Sequence, residues 1–119
     1  MVYLLLADGF EEVEALTQVD YLRRAKVDVV TVGVTGEYVT GTRSIIVKAD
    51  TTIEKVQDLE KADMLILPGG LGGTRGMENC SKVTDAIISA YKNGAYIAAI
   101  CAAPTILAHL GLLKGKKCV

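Results

Sequence analysis

The sequence predicts an α/β fold in which a mostly parallel sheet carries helices on both faces. Three observations predict it. Short apolar runs of strand length, "VYLLLA", "VDVVTVGV", "DMLILPGG" and "AYIAAIC", recur along the chain. Longer segments with apolar residues at helical spacing lie between them, and Gly, Pro or Asp marks most junctions. Apolar runs without alternation are the mark of strands buried on both faces, and strands alternating with helices assemble into a parallel sheet.

Each element follows in order. "VYLLLA" (2–7) is a buried strand, broken by "DG". "FEEVEALTQVDYLRRAK" is a helix with Val13, Leu16, Val19 or Asp20, and Leu22 at helical spacing; acids crowd its first turns and Arg23, Arg24 and Lys26 its last, which suits the helix dipole. "VDVVTVGV" (27–34) is the next strand, and "TGEYVTGTRSIIVKAD" gives a turn and short strands. "TTIEKVQDLEKA" predicts a short helix with Thr at its start, and "DMLILPGG" (63–70) a strand stopped by Pro68 and two glycines. "NCSKVTDAIISAYKNG" is a helix with Val83, Ile87, Ile88 and Tyr91 inward and Gly94 as its stop. "AYIAAIC" is a strand, and Pro104 opens a helix over "PTILAHLGLL", since proline is tolerated in a first turn. "LKGKKCV" looks like a turn and the first residues of a further strand, so the chain is expected to be one piece of a longer polypeptide.

Composition narrows the function. A chain of 119 residues predicts a single domain over residues 1–119. Half of the residues are hydrophobic and the mean hydropathy is +0.34, yet no apolar stretch approaches the roughly 20 residues of a membrane span. "MVYLLLADGFEEVE" has no basic region before its apolar run, so no signal peptide is read, and a cytoplasmic protein without a membrane partner is expected. Basic residues number 13 and acidic residues 14, mixed along the chain, which argues against a nucleic-acid surface. With one His, three Cys and no CxxC pair, a zinc site would lack ligands and a disulfide scaffold is not expected.

Three strand ends carry the candidate chemistry. Cys101 lies where a buried strand meets a helix, flanked by Ala99 and Ala103 two positions away on either side. The pattern matches the G-x-S-x-G nucleophile elbow with Cys as nucleophile and Ala for both glycines; a sharp strand-to-helix turn demands small residues at those positions. A helix N-terminus would lower the thiol's pKa from about 8.5. The competing reading is a buried structural cysteine. "ILPGGLGGTRG" ends the preceding strand at the same sheet edge and fits neither a dinucleotide fingerprint nor a P-loop. The N–H groups of Gly70 and Ala102 could together form an oxyanion hole, or the glycines could make an ordinary turn. In "DGFEEVEA", Glu11 and Glu12 read as solvated helix-start acids, whereas Glu14 shares a face with Phe10 and Thr17 or Tyr21 that would partly bury it. Burial beside another anion raises a carboxyl pKa, and a protonated Glu14 would then share its proton with the thiolate.

"DGFEEVEALTQVDYLRRA", "ADMLILPGG" and "IAAICAAPTILA", in this order and spacing, closely resemble the ThiJ/PfpI superfamily, and within it the branch of the human parkinsonism-associated deglycase. The resemblance covers essentially the whole chain. It implies a flavodoxin-like three-layer sandwich, usually dimeric, with a reactive cysteine and no cofactor. It also implies that the family's domain continues past Val119, so this chain is expected to be truncated at its C-terminus, the remaining segment being either a companion C-terminal fragment or a further part of the same polypeptide. By the same resemblance Cys101 matches the reactive cysteine, Glu14 the protonated glutamate bonded to it, and Gly70 and Ala102 the backbone donors around the sulfur. Arg43 in "GTRSIIV" matches an arginine near the glutamate at the dimer interface.

The implied activity is that of a cysteine-dependent glyoxalase or deglycase acting on small 2-oxoaldehydes or their adducts. Oxidative-stress sensing through a cysteine sulfinate and chaperone activity are the alternatives. Two departures matter. Protease-like members carry His directly after the cysteine, where this chain has Ala102, which counts against a peptidase. The branch also has a His on a segment beyond Val119; His109 is not its counterpart and reads as a surface or packing residue. Cys80 and Cys118 read as packing residues.

Overall fold

The structure, a computed structural model, describes residues 1–117. In chain order the elements are β1 (Val2–Leu6), α1 (Glu12–Arg24), β2 (Val29–Gly33), β3 (Tyr38–Thr40), β4 (Ile46–Lys48), β5 (Thr51–Thr52), a 3₁₀ turn (Leu59–Lys61), β6 (Met64–Leu67), α2 (Leu71–Glu78), α3 (Ser81–Lys92), β7 (Tyr96–Ala99) and α4 (Pro104–His109). Five strands form one sheet in the order β5-β2-β1-β6-β7, parallel throughout, while β3 and β4 pair antiparallel as a separate hairpin. Val2 stands opposite both Val29 and Met64, so β1 is the central strand. The chain moves outward from β1 through β2 to β5, then returns to the other side with β6 and β7. That reversal puts a crevice beyond the carboxyl ends of β1 and β6, where open α/β sheets bind ligands.

Alternation along the central strands feeds two cores. Leu4 and Leu6 face one layer with Phe10, Ala15, Val19 and Val39; Leu5 and Ala7 face the other with Met77, Val83, Ile87 and Ile106. Leu4, Leu5 and Leu6 are all fully buried. With each buried Leu contributing roughly 1.5–3 kcal/mol, a one-residue slip of β1 would exchange the residues facing the two layers and is strongly disfavoured. The α/β prediction holds: a parallel sheet lies between α1 with the hairpin on one face and α2, α3 and α4 on the other. In α3, Val83, Ala86, Ile87 and Ala90 are buried at helical spacing, and Gly94 (φ +89°) follows its end. Proline opens α4 as expected.

Several expectations are corrected. The buried residues of α1 are Glu12, Ala15 and Val19, and Val13 turns outward, 71% exposed. Tyr91 also faces outward from α3. The helix expected over "TTIEKVQDLEKA" is instead the short strand β5, a turn and the 3₁₀ segment. Thr51 and Thr52 are taken up by pairing with β2, and Asp58 sits in the left-handed region at φ +59°, which an α-helix cannot accommodate. Conversely, α2 forms across "LGGTRGME", a glycine-rich stretch to which the sequence reading assigns no helix. The further strand expected around Cys118 lies outside the described residues.

Candidate functional site

The ends of β1, β6 and β7 bring three backbone turns together at the carboxyl edge of the sheet. After β7 the chain passes through Ile100, whose N–H donates to the Leu67 carbonyl (3.2 Å), and then through Cys101 at φ +61°. That left-handed backbone costs a non-glycine residue about 1–2 kcal/mol. The turn is closed by the Ala103 N–H donating to the Ile100 carbonyl (3.1 Å). Ala103 is fully buried beneath the turn, which leaves no room for a larger side chain there. Cys101 itself is exposed, which removes the reading of a buried structural thiol. One detail of the elbow differs from expectation: Ala103 occupies the cap of α4, two residues beyond Cys101, so the sulfur does not sit directly on the helix end.

Glu14, half-buried in the first turn of α1, reaches across to this elbow. Its Oε1 accepts the Gly69 N–H at 3.0 Å. A Cβ built on Gly69 would stand 2.3 Å from Glu14 Oε1 and 2.8 Å from Cys101 Cβ, so carboxylate and cysteine flank the same glycine from two sides. Gly69 is therefore a residue of the site that sequence reasoning passed over in favour of its neighbour. The signal was present in the doubled glycine after Pro68.

Gly70 has a different necessity. At φ +97° it lies against the loop after β1, where a Cβ would meet the Gly9 carbonyl oxygen at 2.3 Å and the Glu11 nitrogen at 2.8 Å. Close backbone approach recurs along α2, where Cβ atoms on Gly72 and Gly73 would crowd Gly9 and Phe10. Among the described residues, neither the Gly70 nor the Ala102 N–H donates to a backbone carbonyl of a turn or loop. The Ala102 carbonyl accepts from the Thr105 hydroxyl at 2.7 Å.

Of the three glutamates, Glu12 departs most from expectation. It is only 5% exposed, and its Oε2 accepts the N–H groups of Arg43 (2.8 Å) and Ile45 (3.3 Å). Its Oε1 is enclosed with no protein partner. Burial alone would raise its pKa, but the N–H groups of Glu12, Arg43 and Ile45 and the Arg43 charge outweigh it and hold the carboxyl below its ordinary value. Arg43 is exposed and its guanidinium lies 3.9 Å from Glu11 Oε2. The structure thus joins Arg43 to Glu11 and Glu12, and no ion pair links it to Glu14.

Beside the elbow, a groove of about 360 Å³ runs between α1 and the β6–β7 side of the sheet, lined by Val13, Glu14, Thr17, Ile66, Ala98 and Ile100 among others. His109 is exposed and its Nδ1 lies 2.6 Å from Glu78 Oε2 at the far end of α2, in keeping with a surface role. Cys80 is half-buried at the cap of α3.

These features define an α/β protein with an exposed thiol on a strained strand-to-helix turn and a carboxylate beside it. The chain belongs to the DJ-1/PfpI family, whose profile matches residues 1–119. It is 43% identical over 114 residues to Protein dj-1beta of Drosophila melanogaster, covering 95% of this chain and 60% of that one. It is 33% identical over 116 residues to Deglycase PH1704 of Pyrococcus horikoshii, covering 98% of this chain and 69% of that one. Among solved structures it superposes on oxidized Toxoplasma gondii DJ-1 with a TM-score of 0.91 and 36% identity, over 99% of this chain and 65% of that one. The chain thus spans about 60 to 70% of the length of these relatives.

Proposed function

We propose that this protein is a cysteine-dependent, cofactor-independent enzyme of the glyoxalase or deglycase type, acting on small 2-oxoaldehydes or their adducts. The observation that carries this reading is the pairing of an exposed, left-handed Cys101 with the Glu14 carboxylate across Gly69. The name of the Pyrococcus relative, a deglycase, supports the same class of chemistry.

In this mechanism the Cys101 sulfur, as thiolate, adds to the aldehyde carbon of the substrate. A C–S bond forms and the carbonyl electron pair moves to oxygen, which the N–H groups of Gly70 and Ala102 stabilise before it takes a proton. The hydrogen on that carbon leaves as a proton and is returned to the neighbouring ketone carbon, with Glu14 as carrier. One carbon is oxidised and the other reduced within the same molecule, so no external electron acceptor is required. Water then cleaves the thioester, giving a 2-hydroxy acid and the free thiol. Lactate formation from methylglyoxal tests the reading: wild type is expected to produce it and Cys101→Ala to fall to the uncatalysed rate. Equal rates would end it.

A second reading is favoured by the exposure of Cys101 and by the oxidized state named for the Toxoplasma relative. Here Cys101 is a redox sensor that peroxide converts stepwise to the sulfinate. Mass spectrometry after mild peroxide should find two added oxygens at Cys101 and none at the half-buried Cys80. We further propose a homodimer through the outer face of α1 and the hairpin, where Val13, Tyr21, Tyr38, Ile45 and Ile46 are each more than half exposed.

A further inference from the structure

We infer that Glu12 is a positioning residue of the site: its carboxylate clamps the Gly41–Ile45 loop onto the start of α1, and so fixes Glu14 against Gly69 and Cys101. The inference rests on the proposed partnership of Glu14 with a reactive Cys101 and extends it to a residue that touches neither substrate nor sulfur.

The start of α1 is held from two sides. On the hairpin side, the Gly9 N–H donates to the Thr40 carbonyl, the Thr42 N–H to the Phe10 carbonyl (2.8 Å each), and the Thr40 N–H to Asp8 Oδ1 (3.0 Å). The bonds from Arg43 and Ile45 to Glu12 Oε2 complete that seam and, among the described residues, are its only hydrogen bonds to a helical residue. On the elbow side, the Glu11 N–H donates to the Gly69 carbonyl and the Gly69 N–H to Glu14 Oε1, both at 3.0 Å. Glu12 thus lies between the two residues that grip Gly69, and is itself gripped by the loop.

The clamp is tight. A Cβ on Gly41 would stand 2.3 Å from both Cδ and Oε2 of Glu12, so the loop backbone lies directly on the carboxylate. The loop is closed by the Gly41 N–H donating to the Ile45 carbonyl and the Ser44 N–H to the Gly41 carbonyl (2.9 Å each), with Ser44 left-handed at φ +66°. No lysine, arginine or histidine side chain bonds to Glu12 among the described residues, and its other oxygen is enclosed without a protein partner. A buried carboxylate whose protein donors are backbone N–H groups is a device for fixing backbone, because any displacement of the loop strands those donors as well as the charge. Glutamine cannot replace it cleanly. With its carbonyl on the two N–H groups, its amide would enter the enclosed position, where the protein supplies no acceptor.

The test follows the rate of Cys101 alkylation by iodoacetamide against pH, with Cys80 and Cys118 replaced by Ser in every protein. Glu12→Gln and Gly41→Ala approach the same contact from opposite sides. Both are expected to shift the pH profile toward that of Glu14→Gln and to change the neutral-pH rate at least threefold, with circular dichroism unchanged. In the Glu14→Gln background neither should add a further change, because a residue acting through Glu14 has nothing left to position. A merely structural Glu12 would lower the urea midpoint while leaving the profile of the folded protein where it was, and that result overturns the inference. Effects that multiply independently in the double variants overturn it too. If Glu14→Gln alone leaves the profile untouched, the partnership of Glu14 and Cys101 falls, and the inference with it.

Discussion

Gly69→Ala isolates the juxtaposition on which the proposed chemistry depends. The added methyl would stand 2.3 Å from Glu14 Oε1, 2.8 Å from Cys101 Cβ and 3.0 Å from the Ile100 carbonyl oxygen. Gly69 is not left-handed, so alanine suffers no intrinsic backbone penalty and the whole effect is steric. The carboxylate, at the end of a flexible side chain, is the group that yields. Its displacement gives up the bond from the Gly69 N–H, which contributes about 0.5–1.5 kcal/mol. Cys101 Cβ belongs to a constrained turn and yields less, adding overpacking strain of about 1–3 kcal/mol. Together these predict a loss of roughly 1.5–4.5 kcal/mol. With a urea slope of about 2 kcal/mol/M, the midpoint should fall by about 1–2 M. Glu14→Ala removes the group with the closest clash, so the double variant should be less destabilised than the sum of the singles. A single variant within about 0.5 kcal/mol of wild type, or strict additivity, would refute the placement of Glu14 beside Gly69.

Other expectations concern separate parts of the molecule. Because Cys101 is left-handed, Cys101→Gly should be at least as stable as wild type, strain relief of about 1–2 kcal/mol exceeding the added chain entropy, while Cys101→Ala gains nothing; a glycine variant with a lower urea midpoint would deny the strain. For Asp50, burial alone would raise the pKa, but bonds from Thr31 and the Arg23 charge outweigh it and lower it. Its contribution to stability is therefore complete above the unfolded carboxyl pKa of about 3.9 and disappears as pH falls through the lower folded value. Asp50→Asn should flatten the acid limb of stability against pH, and an unchanged limb would contradict that. Val13→Glu, on the outer face of α1, should turn the proposed dimer into a monomer in sedimentation with no loss of fold; a dimer unaltered by the substitution would move the interface elsewhere.

The parallel sheet was legible because β1, β2, β6 and β7 are short apolar runs, and burial on two faces leaves no other use for such a run. Glu14 and Cys101 were legible as a pair because both follow strands whose carboxyl ends share one edge. The phase of α1 was not. Val13 and Ala15 are both apolar, and it is the loop at residues 41–45, distant in sequence, whose N–H groups help make it favourable to bury Glu12 and expose Val13. Nor was α2 legible, since glycines at 72, 73 and 76 lower helix propensity. Two of them lie against the backbone of the β1–α1 turn and Gly76 against Ala7, and that packing overrides propensity. Gly69 escaped for a related reason: a pair of glycines announces close approach without saying what approaches.

The sheet is finished differently at its two margins. At one, β5 is only two residues long; at the other, among the described residues, no strand pairs with the outer side of β7, whose Tyr96 is exposed, as is Ile100 just beyond it. That second margin ends at Cys101. A polypeptide added in register to β7 would extend past Ile100 toward Cys101, so lengthening the sheet at that margin would also cover a thiol that is now exposed.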